Sequence, residues 1–121
     1  MPPYKESEII EALKESIPIS SENVILGIGD DGAVTSIKHG YQLVTATDVI
    51  VAGTHYPKGI SPQAIGHRSL AVNLSDIAAM GATPVWANLI FSVPTIKKDW
   101  IDKFILGFSA LANEYNVALI G

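Results

Sequence analysis

Cysteine is absent from this 121-residue chain, which removes disulfides, thiolate metal sites and a cysteine nucleophile from consideration. Clusters of lysine and arginine are missing as well: eight basic side chains stand against twelve acidic ones, for a net charge of −4. Nucleic-acid binders carry a basic stripe or patch, so that class is excluded, and a free polyanion would be repelled. No apolar run approaches the roughly 20 residues of a membrane-spanning helix. The N-terminus, MPPYKESEII, lacks the apolar stretch of a secretory signal, and a cytoplasmic location is expected.

Apolar side chains, by contrast, are plentiful. Hydrophobic residues make up 48% of the chain, and with glycine counted in place of tyrosine the share rises above the usual range of roughly 45 to 50%. Length fits one domain spanning residues 1–121, with room for a real core. The apolar excess predicts surface that another subunit or a further domain covers. The chain also stops on an apolar run, NVALIG, so a fragment of a longer protein is expected.

Candidate chemistry concentrates in GIGDDGAVTSIKHGYQLVTATD, residues 27–48, and in one helix that follows. Asp30 and Asp31 lie between Gly29 and Gly32, where glycine lets the backbone turn tightly and approach a ligand. Asp48 shares one face of a predicted strand with Val44, Ala46 and Ile50, an expensive place for a charge unless a cation meets it.

The elements read in order as follows. Ser7 caps a helix running to about Ser16, which Pro18 stops. Strands are predicted at 23–26, 33–37 and 42–51, joined by hairpin-type links. A turn-rich loop, residues 53–61, holds His55 and ends on Ser61-Pro62, an N-cap followed by proline at the first helical position. The helix from Pro62 to Met80 is apolar around most of its circumference and is predicted to be buried. Gly66, Ser69, Asn73 and Asp76 form a narrow polar stripe on it, for which the aspartate loop is the expected partner. A strand at 83–94, a surface helix from about Lys97 to Tyr115 and a last strand from Val117 complete the chain, with Asn116 suited to the left-handed helix end. The fold class is α+β, a mostly antiparallel four-stranded sheet with helices packed on one face.

Gly27, Gly29 and Gly32 satisfy G-x-G-x-x-G, but the dinucleotide fingerprint needs a helix directly after the glycines, and AVTSI is β-branched and followed by a turn. A protein-kinase glycine loop is likewise unsupported, since no V-A-I-K, H-R-D or D-F-G follows, and no Walker A is present. Two loop aspartates would repel a bare phosphate: like charges about 4 Å apart cost on the order of 4 kcal/mol at an effective dielectric near 20. A divalent cation reverses the sign. Magnesium is held by one or a few carboxylates plus waters and phosphate oxygens, so Asp30 or Asp31, Asp48 and Asp76 have the chemistry of a magnesium-phosphate cradle. The same spacing also suits ordinary turn aspartates and a surface charge on a helix. His55 is either a substrate contact or a solvated loop histidine. His39 and His67 read as structural or exposed, and Trp86 and Trp100 as packing residues.

Three segments, GIGDDGAV (27–34), TDVIVAGTHY (47–56) and AVNLSDIAAMGATPVW (71–86), together resemble the N-terminal domain of thiamine-phosphate kinase, within the superfamily of aminoimidazole ribonucleotide synthetase. The resemblance implies ATP-dependent phosphorylation of thiamine monophosphate to thiamine diphosphate. It also implies Mg²⁺ ions bridging ATP to Asp31, Thr47, Asp48 and Asp76, with Asp30 adjacent, and a substrate contact by His55. It implies a homodimer in which the sheets join into a barrel. Family members usually have Ser or Thr where this chain has Ala46, and they continue past LIG into a G-G-D-T motif and a C-terminal domain. Activity of this chain alone is therefore expected to be slight. Two other readings stand beside this one: a sister enzyme with another acceptor, and a non-catalytic dimerisation domain with the same fold.

Overall fold

The computed structural model describes residues 5–93 and 97–121. Three helices carry the fold: α1 (Glu6–Ser16), α2 (Pro62–Ala79) and α3 (Lys98–Glu114). Four short strands accompany them: β1 (Val24–Leu26), β2 (Val34–Thr35), β3 (Trp86–Ala87) and β4 (Ala118–Leu119). The class is α+β, as the pattern of elements predicts.

Sheet architecture differs from the expectation. Among the described residues there are two two-stranded sheets instead of one four-stranded antiparallel sheet. β1 and β2 pair antiparallel, Val24 opposite Thr35, whereas β3 and β4 pair in parallel, Trp86 beside Ala118. The expected strand at 42–51 forms no ladder, and its side chains Leu43, Val49 and Val51 are exposed. Alternation marks a segment able to lie in a sheet, but a strand exists only where a second backbone meets its N–H and C=O groups. The strand expected at 83–94 is reduced to β3, although bonds from Ala118 N–H to Val85 O and from Leu89 N–H to Gly121 O extend the pairing on both sides. Pro94, its predicted end, lies outside the described residues.

Helix boundaries follow local chemistry more closely. Ser61 caps α2, its hydroxyl accepting from the Ala64 N–H at 3.2 Å, with Pro62 at the first helical position. At α1 the cap is Lys5, not Ser7; the Lys5 N–H donates to the Glu8 carboxylate at 2.8 Å, leaving Ser7 inside the helix. Asn116 ends α3 with φ of +54°, a left-handed conformation that asparagine tolerates.

The roles of the two long helices are exchanged relative to their sequence patterns. α3 is the buried one: Ile101, Phe104, Ile105, Phe108, Leu111 and Ala112 all sit in the core. On α2 only Ile65, Gly66 and Leu70 are buried, and Ala78, Ala79 and Met80 face solvent. α3 takes the core because it packs against both of the other helices, receiving Ile9 and Leu13 of α1 on one side and Ile65 and Leu70 of α2 on the other, with Val117 and Leu119 closing the cluster. Phe104 adds an edge-to-face contact to Phe91 at 4.6 Å and stacks on Trp100 at 5.5 Å. Such pairs contribute about 0.5–1.5 kcal/mol each beyond area burial. Trp86 instead donates its indole N–H to the Ser21 hydroxyl at 3.2 Å, tying β3 to the segment before β1.

A candidate metal and phosphate site

The loop from Gly27 to Gly32 turns as its composition requires. Gly29 has φ of +113°, open to glycine and strained for any other residue. Asp30 is committed locally: its Oδ1 accepts from the Asp31 N–H at 2.8 Å. Both carboxylates are exposed. The Lys14 ammonium of α1 lies close to Gly29 while pairing with Glu11 at 3.4 Å.

Asp48 and Asp76 come from elements 28 positions apart in sequence, and their carboxyl groups meet. A hydrogen bond with Asp48, reinforced by like-charge repulsion and then by desolvation, raises the Asp76 carboxyl above its ordinary value. Among the described residues Asp76 is thus the member of the α2 polar stripe whose side chain bonds a partner off its own helix. Ser69 donates its hydroxyl to Gly66 O at 2.8 Å, and Asn73 donates its amide to Ser69 O at 3.0 Å. Gly66 belongs to the contact with α3. The expected meeting of the whole stripe with the aspartate loop does not occur, because short polar side chains on a helix can bond carbonyls three or four residues back. Neither Asp30 nor Asp31 joins the Asp48–Asp76 pair: among the described residues no group of three or more His, Asp or Glu could hold a metal ion.

His55 is held by its own turn. The Val51 N–H donates to Nδ1 at 2.8 Å, while the His55 N–H and the Thr54 N–H both reach Val51 O. A neutral His55 therefore carries its proton on Nε2 and presents a donor outward. The alternating pattern of 42–51 gives no sign of this turn. A histidine four residues after a strand end, beside Gly53 with φ of +80°, is the signal that finds it. Thr47 is exposed in the segment next to Asp48.

Two exposed carboxyl groups in contact suit a hard divalent cation, which takes one or two carboxylates and completes its shell with water and phosphate oxygens. The donor set fits magnesium chemistry on that ground. Residues 29–121 match the family described as AIR synthase related protein, N-terminal domain. The chain belongs to that family. The matched stretch contains Asp30, Asp31, Thr47, Asp48, His55 and Asp76. The chain is also similar to thiamine-monophosphate kinases: 44% identical over 118 residues to that of Buchnera aphidicola from Acyrthosiphon pisum, and 39% identical over 116 residues to that of Escherichia coli K12. These alignments take in 98% and 96% of this chain and 36% of each relative. A solved thiamine-monophosphate kinase from Stenotrophomonas maltophilia K279a superposes with a TM-score of 0.78 at 42% identity, over 92% of this chain and 34% of that one. The chain thus spans about a third of the length of the relatives it matches.

The Asp48–Asp76 contact carries a pH prediction. A raised folded-state value means that the native protein holds the Asp76 proton more tightly than the unfolded chain. The associated stability is full below the unfolded value near 3.8 and is lost as pH rises through the folded-state value. Urea midpoints of wild type and Asp76→Asn, compared between roughly pH 3 and pH 7 in metal-free buffer, should diverge in favour of the variant as pH rises. A difference independent of pH would show that the two carboxyls do not interact in solution.

Proposed function

We propose that this chain is the N-terminal, metal- and nucleotide-binding part of an ATP-dependent kinase that converts thiamine monophosphate to thiamine diphosphate. The observation that carries the reading is the convergence of Asp48 and Asp76, within a domain whose relatives are thiamine-monophosphate kinases. Asp31, Thr47, Asp48 and Asp76 are the residues that would hold Mg²⁺, with Asp30 beside them. Magnesium, when bound, supplies positive charge between these carboxylates and phosphate oxygens.

No residue of this chain is assigned as a covalent nucleophile. In-line phosphoryl transfer asks for positioning and charge neutralisation. The terminal phosphoryl group passes from ATP to a phosphate oxygen of thiamine monophosphate, leaving ADP. Asp48 and Asp76 fix one side of the site from two elements, so their separation is set by the packing of α2. In this reading the Gly27–Gly32 loop would contribute Asp31, which does not join the Asp48–Asp76 pair in the structure. His55, its Nδ1 occupied by the Val51 amide, offers Nε2–H to an acceptor on the substrate.

Dimerisation belongs to the same reading. Residues 42–51 have no ladder partner among the described residues, their side chains Leu43, Val49 and Val51 are exposed, and Ile25 of β1 is exposed as well. An unpaired apolar edge of this kind favours pairing with a second copy, which would join the sheets into a barrel. A cytoplasmic location completes the proposal. The deciding experiment incubates protein of the relatives' full length with ATP, Mg²⁺ and thiamine monophosphate and follows thiamine diphosphate by chromatography. Folded protein that binds ATP and forms no product would point to another acceptor. Loss of ATP binding as well would favour a dimerisation domain.

A further inference from the structure

The loop between β1 and β2 carries Asp31-Gly32, the only aspartate or asparagine in the sequence that precedes a glycine. Both residues are exposed and belong to neither strand. Among the described residues the Asp31 carboxylate has no hydrogen-bond or ion-pair partner, and the Gly32 N–H donates to none of them. Asp30, by contrast, directs its Oδ1 at the Asp31 N–H, 2.8 Å away. A Cβ at Gly32 would meet nothing within 4 Å, so the space around this amide is open. Other aspartates are less free: Asp48 precedes the β-branched Val49, and Asp76 precedes Ile77 inside α2, where the following amide is held by the helix.

We propose that Asp31 is a site of spontaneous backbone modification, closing on the Gly32 amide to a succinimide and reopening to isoaspartate. The Gly32 nitrogen attacks Asp31 Cγ: a C–N bond forms, the carboxyl C–O bond breaks, and the amide proton leaves with the carboxyl hydroxyl as one water. Water then adds to the ring. Opening at Cγ restores aspartate, whereas opening at the main-chain carbonyl routes the backbone through Cβ and Cγ and leaves the α-carboxylate as the side group. Three features select this pair. A Cβ on the following residue crowds the planar ring, and glycine has none and reaches the dihedrals that closure needs. An amide without an acceptor loses its proton with no hydrogen bond to break. A loop outside both strands bends into the attacking geometry without opening a ladder. Isoaspartate lengthens the main chain by one carbon and shortens the side group by one, which displaces the carboxylate that the magnesium reading assigns to Asp31. That consequence rests on the kinase reading; the chemistry of the loop does not.

The test holds the metal-free 121-residue chain at physiological temperature and neutral pH, digests samples with trypsin, and locates isoaspartate in peptide 15–38 by electron-transfer fragmentation. Expected are a transient species lighter by one water and then isoaspartate at position 31, accumulating within about tenfold of the rate in the end-blocked peptide GIGDDGAV. Gly32→Ala should slow its formation by about tenfold or more, and Asp31→Glu, which would need a six-membered ring, should abolish it. The open space at Gly32 lets the alanine variant fold, as circular dichroism should show. The proposal is overturned by isoaspartate at position 30 in place of 31, by an unchanged rate in Gly32→Ala, or by a chain that ages more than about tenfold slower than the peptide.

Discussion

Gly107→Ala should unfold this domain, or destabilise it by on the order of 3 kcal/mol or more. A Cβ on Gly107 would overlap the Gln63 carbonyl of α2, and one on Gly66 would overlap the Phe104 carbonyl of α3. The obstacle is backbone on both sides, so no rotamer change relieves it and the helices must separate. Separation exposes Ile65 and Leu70 together with Phe104 and Phe108, which are buried in wild type, and each such side chain contributes roughly 1.5–3 kcal/mol by burial. Alanine's higher helix propensity offsets only about 1 kcal/mol of that. Against a typical domain stability of about 5–15 kcal/mol the loss is severe. Urea unfolding followed by circular dichroism measures it, with Gly32→Ala as the control. Nothing lies within 4 Å of a Cβ at Gly32, and its φ is not positive, so that variant should stay within about 0.5 kcal/mol of wild type. Gly66→Ala should behave like Gly107→Ala. Wild-type stability in both would mean a looser crossing than the one described.

Asp48→Asn and Asp76→Asn carry the second large effect. Each substitution keeps the side chain's shape while removing the charge that a divalent cation needs. In protein of the relatives' full length, either variant should lower Mg²⁺-dependent turnover by at least about a hundredfold, since loss of an outer-shell contact to a metal ligand alone costs 10- to 100-fold. Stability should not fall, because the two carboxyls repel each other when no cation is bound. Calorimetric titration with Mg²⁺ and a turnover assay separate the roles. Weakened Mg²⁺ binding together with lost turnover supports the metal assignment. Unchanged turnover in either variant would overturn it.

Much of the local structure was legible in the chain before folding. Ser61-Pro62 marked the start of α2 and Asn116 the end of α3, and of the apolar stripe Ile101, Phe104, Phe108, Leu111 and Tyr115 the first four are buried on α3 while Tyr115, at its C-cap, is exposed. Each of these depends on groups within one or two turns of one another, so the residue types suffice. Burial rank was misleading. The wide apolar circumference of α2 reads as a core helix, yet much of it is open to solvent, where alanine sits without penalty. Gly66 likewise reads as part of a polar stripe and turns out to be a point of close backbone approach to α3.

The amino-acid sequence by itself determined which segments are helical, where the aspartate loop turns, and which carboxylates are candidates for a cation. Those outcomes rest on dihedral preference, capping and side-chain periodicity, which act over a few residues. Tertiary structure alone decided that Asp76 meets Asp48 while Asp30 turns back onto its own loop, that β3 and β4 run parallel, and that residues 42–51 remain without a ladder. Each of those joins or fails to join residues far apart in the chain. Their free energy depends on which backbones and side chains packing brings within a few ångströms, a distance that pattern along the sequence does not encode.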